Sequence, residues 1–396
     1  MGEPMKMKMS ATSTILPRMA VSVPAYAKIN LTLELLGVRP DGYHAIRSVV
    51  VPVELHDDVE ISVVPASEGD RSLSDHAISL ETIADGVSLA ALGPADNNLA
   101  VRAARLFLDR IGQFEFQISD FKFQNPTTPL STFHSPLSTS LSASAPSAPL
   151  RNQNNPAPNR QTVKPSNRQT PFCILHSAFC IHLTKRIPLG GGLGGGSADA
   201  AAVLVGLNSL FPEPPFSRAE LAAMGAEIGS DIPAMVTGGT VMMEGRGEIV
   251  TPLRGPDGRS PLPSMAVLLA NPGTHVSTAE AYRESNAVLT SSAFSCNILS
   301  SPNCVGSASA CAAWLFNGLE RAVFARHPEV AALAARLRQA GAAAVLMSGS
   351  GATVFALADD EAEAERLARA LPDGCWWTVT RTLPDGVMAA HGPLEA

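Results

Sequence analysis

Apolar and polar residues alternate along residues 21–35, a pattern typical of a β-strand with one face on a core. The odd positions from Ala25 to Leu35 are apolar, and the polar residues between them include Lys28 and Asn30. A lysine on the polar face of a strand is most often solvated. The alternation therefore predicts a half-buried strand, and by itself it assigns no function to Lys28.

Similar patterns predict the other elements of the first two thirds of the chain. The predicted strands lie at residues 46–53, 59–64, 115–118, 179–183, 239–244 and 248–253. The predicted helices lie at residues 96–112, 200–211 and 217–228, with a further helix that starts at Asp231. Ser217 and Glu220 form a capping box, and Asp231 has the position of an N-cap, the most common use of an aspartate in this context.

The last third alternates between strands and helices around a second glycine turn. Its predicted strands are 266–270, 343–347, 352–357 and 376–381, and its predicted helices are 311–326, 328–340 and 361–371. The turn is Ser348–Gly351, between two of these strands. We predict an α+β protein with a first domain at 21–262 and a second at 263–390. Gly318 is then expected inside a helix, at a local cost of about 1 kcal/mol.

Two segments lack this periodicity. Residues 121–177 are rich in Ser, Thr, Pro, Asn and Gln, and Asn-Arg-Gln-Thr occurs in them twice. We interpret them as a disordered insertion, which leaves open whether strand 115–118 or strand 179–183 precedes the glycine-rich stretch. Residues 1–20 are predicted to be a disordered leader, and the start could be Met1 or Met19.

Composition and charge exclude several classes of protein. The chain has 396 residues and a net charge of −7, so it has no general attraction for nucleic acid or anionic membranes. It contains no apolar run of about 18 residues, and we do not expect a secretory signal. Its six cysteines include no Cys-x-x-Cys pair, which favours reduced thiols in a cytoplasmic protein.

Six glycines at 190–192 and 194–196 separate a predicted strand from a predicted helix. Backbone N–H groups freed of Cβ atoms can close on an anion there, in front of the positive end of the helix, for which Ser197 is the expected N-cap. The stretch is not a Walker loop, because no lysine follows Gly196. A dinucleotide-binding fold is also disfavoured, because Phe211–Pro215 cannot form the strand that it requires. We interpret the stretch as a phosphate cradle.

Three segments in order, Pro24–Asn30, Pro188–Ala198 and Ser348–Thr353, give the chain a resemblance to the GHMP small-molecule kinases. Within that family, residues 27–31, 40–44 and 229–233 are similar to those of the kinases that act on a cytidine diphosphate-linked methylerythritol. The resemblance covers about 21–118 and 179–390. It implies an N-terminal domain like ribosomal protein S5 domain 2 and a C-terminal ferredoxin-like α/β sandwich.

The resemblance also implies an ATP- and Mg²⁺-dependent transfer of phosphate to the 2-hydroxyl of that substrate, in the non-mevalonate isoprenoid pathway. Asp231 would be the general base, and Lys28 would keep it ionised and stabilise the transferring phosphoryl group. The residues implied to bind ATP are Pro188, Leu189, Gly190, Gly191, Gly192, Leu193, Gly194, Gly195, Gly196, Ser197 and Ala198, with Lys185 and Asn98 as further candidates. The residues implied to bind the second substrate are Asn30, Tyr43, His44, Thr278 and Tyr282, with Tyr43 and Tyr282 on either side of the cytosine. Gly349, Ser350 and Gly351 would support the phosphate loop.

Two alternatives remain at this point. The chain could be another GHMP kinase, such as a homoserine or mevalonate kinase, or a nucleotide-binding copy without activity. No protein side chain is assigned to a metal, no nucleic-acid or membrane partner is expected, and the protein would be a monomer or a homodimer.

Overall fold

The computed structural model describes residues 19–65, 78–89, 92–123, 177–211, 213–285 and 307–386. The predicted insertion therefore lies outside the described residues from 124 to 176, and the predicted leader does so from 1 to 18. No helix in the described ranges is long and apolar enough to cross a membrane.

The first sheet is built around one long strand, β3, which spans His44–Pro65. Its neighbours pair with different parts of its length, so that eight strands of the described chain form a single sheet. These strands are β1 (Met19–Asn30), β2 (Thr32–Val38), β4 (Ile78–Ala84), β5 (Ser177–Lys185), β6 (Val241–Gly245), β7 (Ile249–Pro252) and β9 (Phe316–Asn317). β9 comes from the last third of the chain and pairs in parallel with β2.

The second sheet has the order β10-β11-β8-β12, with antiparallel pairing throughout. Its strands are β8 (Ala266–Asn271), β10 (Ala344–Met347), β11 (Val354–Ala358) and β12 (Trp376–Arg381). The chain after 263 thus supplies this whole sheet, where the sequence predicts the second domain. The division into two domains itself stays a prediction.

Helices cover the two sheets. They are α1 (Leu99–Phe123), α2 (Gly195–Ser209), α3 (Arg218–Ile228), α4 (Ile232–Thr237), α5 (Thr278–Glu284), α6 (Ala308–Ala312), α7 (Glu320–Arg326), α8 (Pro328–Gln339) and α9 (Glu361–Ala368). The capping box at the start of α3 is present in both directions, as predicted.

The apolar face of β1 serves two cores, because the strand pairing shifts between Tyr26 and Lys28. Upstream of the shift, Val21, Val23 and Ala25 are buried under α1 and α2. Downstream of it, apolar residues including Ile29 pack against the second sheet, next to Phe355. The strand therefore joins the helical layer to the second sheet, and the polar residues Lys28 and Asn30 lie at this junction.

Five predictions of elements and boundaries require correction. The two predicted strands 46–53 and 59–64 are one continuous strand, β3. The predicted strand 115–118 is part of α1, so the strand that leads into the glycine loop is β5. The predicted strand 21–35 is two strands, with a bend at Leu31. Residues 19–20 belong to β1, residues 121–123 to α1 and residue 177 to β5, so the boundaries of the leader and the insertion were too wide. The predicted helix 311–326 is divided by β9, and Gly318 follows that strand, so no helix-interior cost applies.

Candidate active site

A cleft of about 950 Å³ lies where the glycine-rich stretch, β1, the start of α4 and helix α5 meet. Most of the residues that the sequence singles out line it. They are Lys28, Asn30, Tyr43, His44, Pro188, Leu189, Gly190, Gly191, Gly192, Gly194, Gly195, Gly196, Ser197, Asp231, Thr278, Tyr282, Gly349 and Ser350.

The glycine-rich stretch, residues 188–198, is called the phosphate loop from here on. It leaves β5 and enters α2, whose N-cap is Gly194 in a left-handed conformation. Ser197 is thus within the helix, and its prediction as the N-cap was wrong. Gly190 and Gly192 also have positive φ, at 65° and 76°. Side chains would be strained at these positions, so glycine is required for the path of the loop.

The phosphate loop is held down on the turn Ser348–Gly351 and on β1. Gly192 O accepts a hydrogen bond of 3.0 Å from Ser348 Oγ. Leu193 O accepts one of 2.9 Å from the backbone N of Lys28. A Cβ on Gly192 would lie 2.1 Å from Ser348 O, so the two turns are in backbone contact. Leu193 itself is buried in a core.

Some predicted loop residues support the cleft without lining it. The side chains of Leu193 and Ala198 point into cores, and Gly351 is the last residue of the 348–351 turn, where a Cβ would meet the Met347 side chain. Among the described residues, these three do not line the cleft. Their predicted roles in binding ATP and in supporting the phosphate loop would therefore be through the backbone or through packing beneath the loop.

Lys28 is buried, contrary to the usual solvated position of a strand lysine. Its Nζ donates to Asn30 Oδ1 at 2.5 Å, and Asn30 Nδ2 donates to Ser48 Oγ at 2.8 Å. Ser48 Oγ in turn donates to Thr32 O at 2.5 Å. This chain of hydrogen bonds fixes the ammonium group at the inner end of the cleft.

Asp231 has the N-cap position of α4, but its side chain makes no capping hydrogen bond. Its Oδ2 lies 3.5 Å from Lys28 Nζ, with the Asp231 side chain 35% exposed and that of Lys28 only 5%. The carboxylate is therefore turned toward a buried cation on an open cleft. A capping role, the common use of aspartate at this position, is not what the structure shows.

Aromatic side chains form the opposite end of the cleft. The rings of His44 and Tyr282 have centroids 5.4 Å apart. Burial, and then the negative charge of Asp231, raise the pKa of the Tyr282 hydroxyl above its usual value, so it stays neutral. Tyr43 is 56% exposed, and the guanidinium of Arg246 lies over its ring at 5.2 Å. Flat surfaces of this kind suit a planar ring.

Helix α5 is tied to the glycine turn. Thr278 Oγ1 and Ser350 Oγ are 2.9 Å apart and share a hydrogen bond. Asn317 Nδ2 donates to Met347 O and Gly349 O, at 2.7 and 2.8 Å. The 348–351 turn is therefore fixed from both sides, and it can act as a rigid floor beneath the phosphate loop.

Two further predicted residues, Lys185 and Asn98, are not among the described residues that line the cleft. The Lys185 side chain is unexposed and binds Asp57 and Asp199 beneath the loop. Asn98 Oδ1 accepts a hydrogen bond of 2.9 Å from the backbone N of Ala100, which caps α1. Their roles as nucleotide contacts stay predictions.

The sequence reasoning missed Arg246, Ser230 and Arg283, which also line the cleft. Arg246 lies in the hairpin between β6 and β7, and its Nε is 3.7 Å from Glu248 Oε1. The motif Glu-Gly-Arg-Gly-Glu at 244–248 has a cation between two glycines, which is the signal that could have identified it.

Comparison with known proteins agrees with this geometry. The family models described as the GHMP kinases N terminal domain and the GHMP kinases C terminal match residues 162–239 and 304–375. A 4-diphosphocytidyl-2-C-methyl-D-erythritol kinase of Deinococcus radiodurans is 33% identical over 355 residues, which cover 89% of this chain and 90% of the relative. One of Geobacillus thermodenitrificans is 32% identical over 358 residues, which cover 90% and 94%.

Solved structures show the same relationship. A crystal structure of a 4-(cytidine 5'-diphospho)-2C-methyl-D-erythritol kinase matches with a TM-score of 0.56 and 26% identity, covering 91% of this chain and 99% of that one. Homoserine kinase from Cytophaga hutchinsonii matches with a TM-score of 0.56 at 14% identity, covering 97% and 100%, which shows a shared fold alone. The chain belongs to the GHMP kinase family, and within it to the 4-diphosphocytidyl-2-C-methyl-D-erythritol kinases.

Proposed function

We propose that this protein transfers the γ-phosphoryl group of ATP to the 2-hydroxyl of 4-diphosphocytidyl-2-C-methyl-D-erythritol, in the non-mevalonate pathway to isoprenoid precursors. The observation that carries the proposal is the Asp231 carboxylate, which caps no helix and faces Lys28 across the cleft. Family membership gives the substrate class. The residues that line the cleft include candidates for the general base, for the nucleotide-binding loop and for the substrate contacts. The cytoplasmic location, the magnesium dependence and the monomeric or homodimeric state belong to this proposal.

Asp231 is the general base. Its carboxylate takes the proton of the 2-hydroxyl as that oxygen attacks the γ-phosphorus. The bond from the γ-phosphorus to the β,γ-bridging oxygen breaks, and ADP leaves with that electron pair. Lys28 Nζ lies 3.5 Å from Asp231 Oδ2, where it can offset the negative charge on the transferring group.

The phosphate loop suits a triphosphate because its glycines leave the backbone N–H groups accessible to an anion. The left-handed Gly190, Gly192 and Gly194 keep Cβ atoms out of the path, and the N-terminus of α2 adds a positive end. In the described residues no group of three His, Cys, Asp or Glu side chains could hold a cation. A magnesium ion that arrives with ATP would offset phosphate charge, and Ser197 would be the hydroxyl that reaches the phosphates or the metal.

The cytidine diphosphate half of the substrate is assigned to the other end of the cleft. Tyr43 and Tyr282 would stack on the two faces of cytosine, with His44 at its polar edge. Asn30 would contact the methylerythritol, and Thr278 the substrate near the 348–351 turn. Arg246 is the added element, since its guanidinium stands at the mouth of the cleft beside Tyr43 and can pair with the diphosphate.

An ADP-release assay with three acceptors tests the proposal. Purified protein with ATP and magnesium should turn over 4-diphosphocytidyl-2-C-methyl-D-erythritol at least a hundredfold faster than homoserine or mevalonate, on the order expected when buried polar contacts select a substrate. Equal or greater turnover of another acceptor would contradict the substrate. ATP binding without turnover of any acceptor would indicate a nucleotide-binding copy that has lost activity.

A further inference from the structure

A buried cluster of three charged residues lies directly beneath the phosphate loop. Lys185, the last residue of β5, donates from Nζ to Asp57 Oδ2 and, at 2.6 Å, to Asp199 Oδ2. The side chains of Lys185 and Asp57 are unexposed, and that of Asp199 is 4% exposed. The proposed chemistry uses none of them, and a buried charged group of this kind requires a reason.

The cluster fixes the phosphate loop at both ends. Asp57 Oδ1 accepts hydrogen bonds from the backbone N of Arg186 and of Ile187, at 2.6 and 2.9 Å, just before the loop begins. Asp199 lies in the second turn of α2, just after the loop ends. Lys185 connects the two carboxylates, so the entry and the exit of the loop are held to one ammonium group.

The ammonium group is also close to the loop backbone. A Cβ built on Gly195, the first residue of α2, would lie 3.5 Å from Lys185 Nζ. A cation at this place raises the electrostatic potential at the N–H groups that receive phosphate. Its effect depends on how fully the two carboxylates neutralise it.

The charges do not balance when both carboxylates are ionised. Two negative charges then face one positive charge, and Asp199 Oδ1 has no hydrogen-bond partner among the described residues. Burial, and next the Asp57 carboxylate, raise the pKa of Asp199 to about 7, although Lys185 opposes the rise. Burial lowers the pKa of Lys185, but Asp199 and Asp57 raise it above its usual value, so the lysine stays charged.

The other charged groups nearby point outward. Arg186 follows Lys185 and pairs at the surface with Asp58 and Asp85, each at 2.8 Å. The charged groups shown in contact with the Asp199 carboxylate are Lys185, by a direct hydrogen bond, and Asp57, through the same ammonium group. A change of charge inside the cluster would therefore change the electrostatic potential at the phosphate loop.

We propose that Asp199 is a positioning residue for ATP, and that ATP binding to the phosphate loop is accompanied by uptake of a proton on Asp199. A protonated Asp199 leaves a neutral Lys185–Asp57 pair, which removes one negative charge from beneath the site of the triphosphate. By linkage, the nucleotide then binds more tightly to the protonated cluster, and bound nucleotide favours the proton. This inference rests on the proposed use of ATP.

Calorimetric titration of the full-length protein with ATP, in magnesium buffer at pH 6, 7 and 8 without acceptor, tests it. For the wild type, the dissociation constant of ATP should rise about fivefold from pH 6 to pH 8, the effect of an upward displacement of the Asp199 pKa by one unit from about 7. In Asp199→Asn this rise should be absent, since asparagine does not titrate. The control Asp58→Asn removes a carboxylate from the adjacent, exposed position and should keep the wild-type slope.

Each result bears on the proposal. Titrations of the wild type in two buffers of different ionisation enthalpy should show net proton uptake, and this readout holds even if Asp199→Asn fails to fold. No uptake, or the same pH dependence in all three proteins, overturns the inference while leaving the kinase proposal intact. Absence of ATP binding at every pH overturns the kinase proposal and this inference with it.

Discussion

Lys28 Nζ lies 3.5 Å from Asp231 Oδ2, joining strand β1 to the start of helix α4. Lys28 is fixed by its hydrogen bond to Asn30, and Asp231 is placed by a helix that does not need its side chain as a cap. Since these two residues are 203 positions apart in the sequence, only the fold brings them together. The pair is the centre of the proposed catalytic site.

Tyr282 is predicted to select the cytidine end of the substrate. Tyr282→Ala removes one stacking face and should raise the KM for 4-diphosphocytidyl-2-C-methyl-D-erythritol about 5- to 150-fold, corresponding to about 1–3 kcal/mol. The KM for ATP should change less than about threefold. Tyr282→Phe keeps the ring and serves as the matched control, with a KM near that of the wild type. Equal weakening of both substrates by Tyr282→Ala would place the ring in the core or in the nucleotide site.

Arg246 is predicted to bind the substrate diphosphate. Arg246→Met keeps the apolar stem but loses the charge, and it should raise the KM for the cytidine substrate about tenfold or more, since a hydrogen bond to a charged group contributes about 1.5–3 kcal/mol. Arg110→Met, which breaks a surface pair with Glu227, is the control and should leave both KM values unchanged. Steady-state kinetics with each substrate varied in turn give the answer. A KM effect on ATP alone would move Arg246 to the nucleotide half.

The contact between the two glycine turns is predicted to stabilise the folded protein. In Gly192→Ala the new Cβ would meet Ser348 O at 2.1 Å, at a φ of 76°. The left-handed strain alone costs about 1–2 kcal/mol, so the free energy of unfolding should fall by at least that amount. Gly196→Ala is the matched comparison, because its Cβ would meet only Leu99 Cδ1 at 3.6 Å. Denaturant unfolding of both variants measures the difference, and equal stabilities would contradict the described packing.

The buried Asp199 is predicted to make stability depend on pH. Because its pKa is raised from 3.8 to about 7 in the folded protein, the folded state binds a proton that the unfolded state releases in this interval. Its contribution is thus full below pH 3.8 and is lost as the pH rises to about 7. The stability of the wild type relative to Asp199→Asn should therefore fall across this range. Parallel stability curves for the two proteins would show that Asp199 does not titrate there.

Most of the elements could be predicted because their patterns are local. The strand at 376–381 was predicted with its observed bounds, and the capping box at Ser217 marks the start of α3. Predictions from the sequence were wrong where tertiary packing determines the secondary structure. Residues 115–118 have alternating character but continue α1, and Gly318 follows a two-residue strand that exists only because β2 lies beside it.

The glycine-rich stretch and the family motifs of the candidate site could be recognised in the sequence. The burial of its charged side chains could not. The alternation around Lys28 suggests a solvated face, whereas a second layer formed by the phosphate loop and the 348–351 turn covers that face. The family motif suggests Lys185 as a nucleotide contact. Its hydrogen-bond partners in the structure are Asp57 and Asp199, which are 128 and 14 residues away in the sequence. No local pattern reports such partners.

The most direct measurement is the turnover of Asp231→Asn. Asparagine occupies the same space but cannot accept the proton of the 2-hydroxyl, so kcat should fall by roughly 10²–10⁴. Both KM values should stay within a few fold, and the melting temperature should stay near that of the wild type, because the Asp231 side chain caps no helix. A kcat above about a tenth of the wild-type value, outside the range of general-base catalysis, would contradict the assignment of Asp231 as the base.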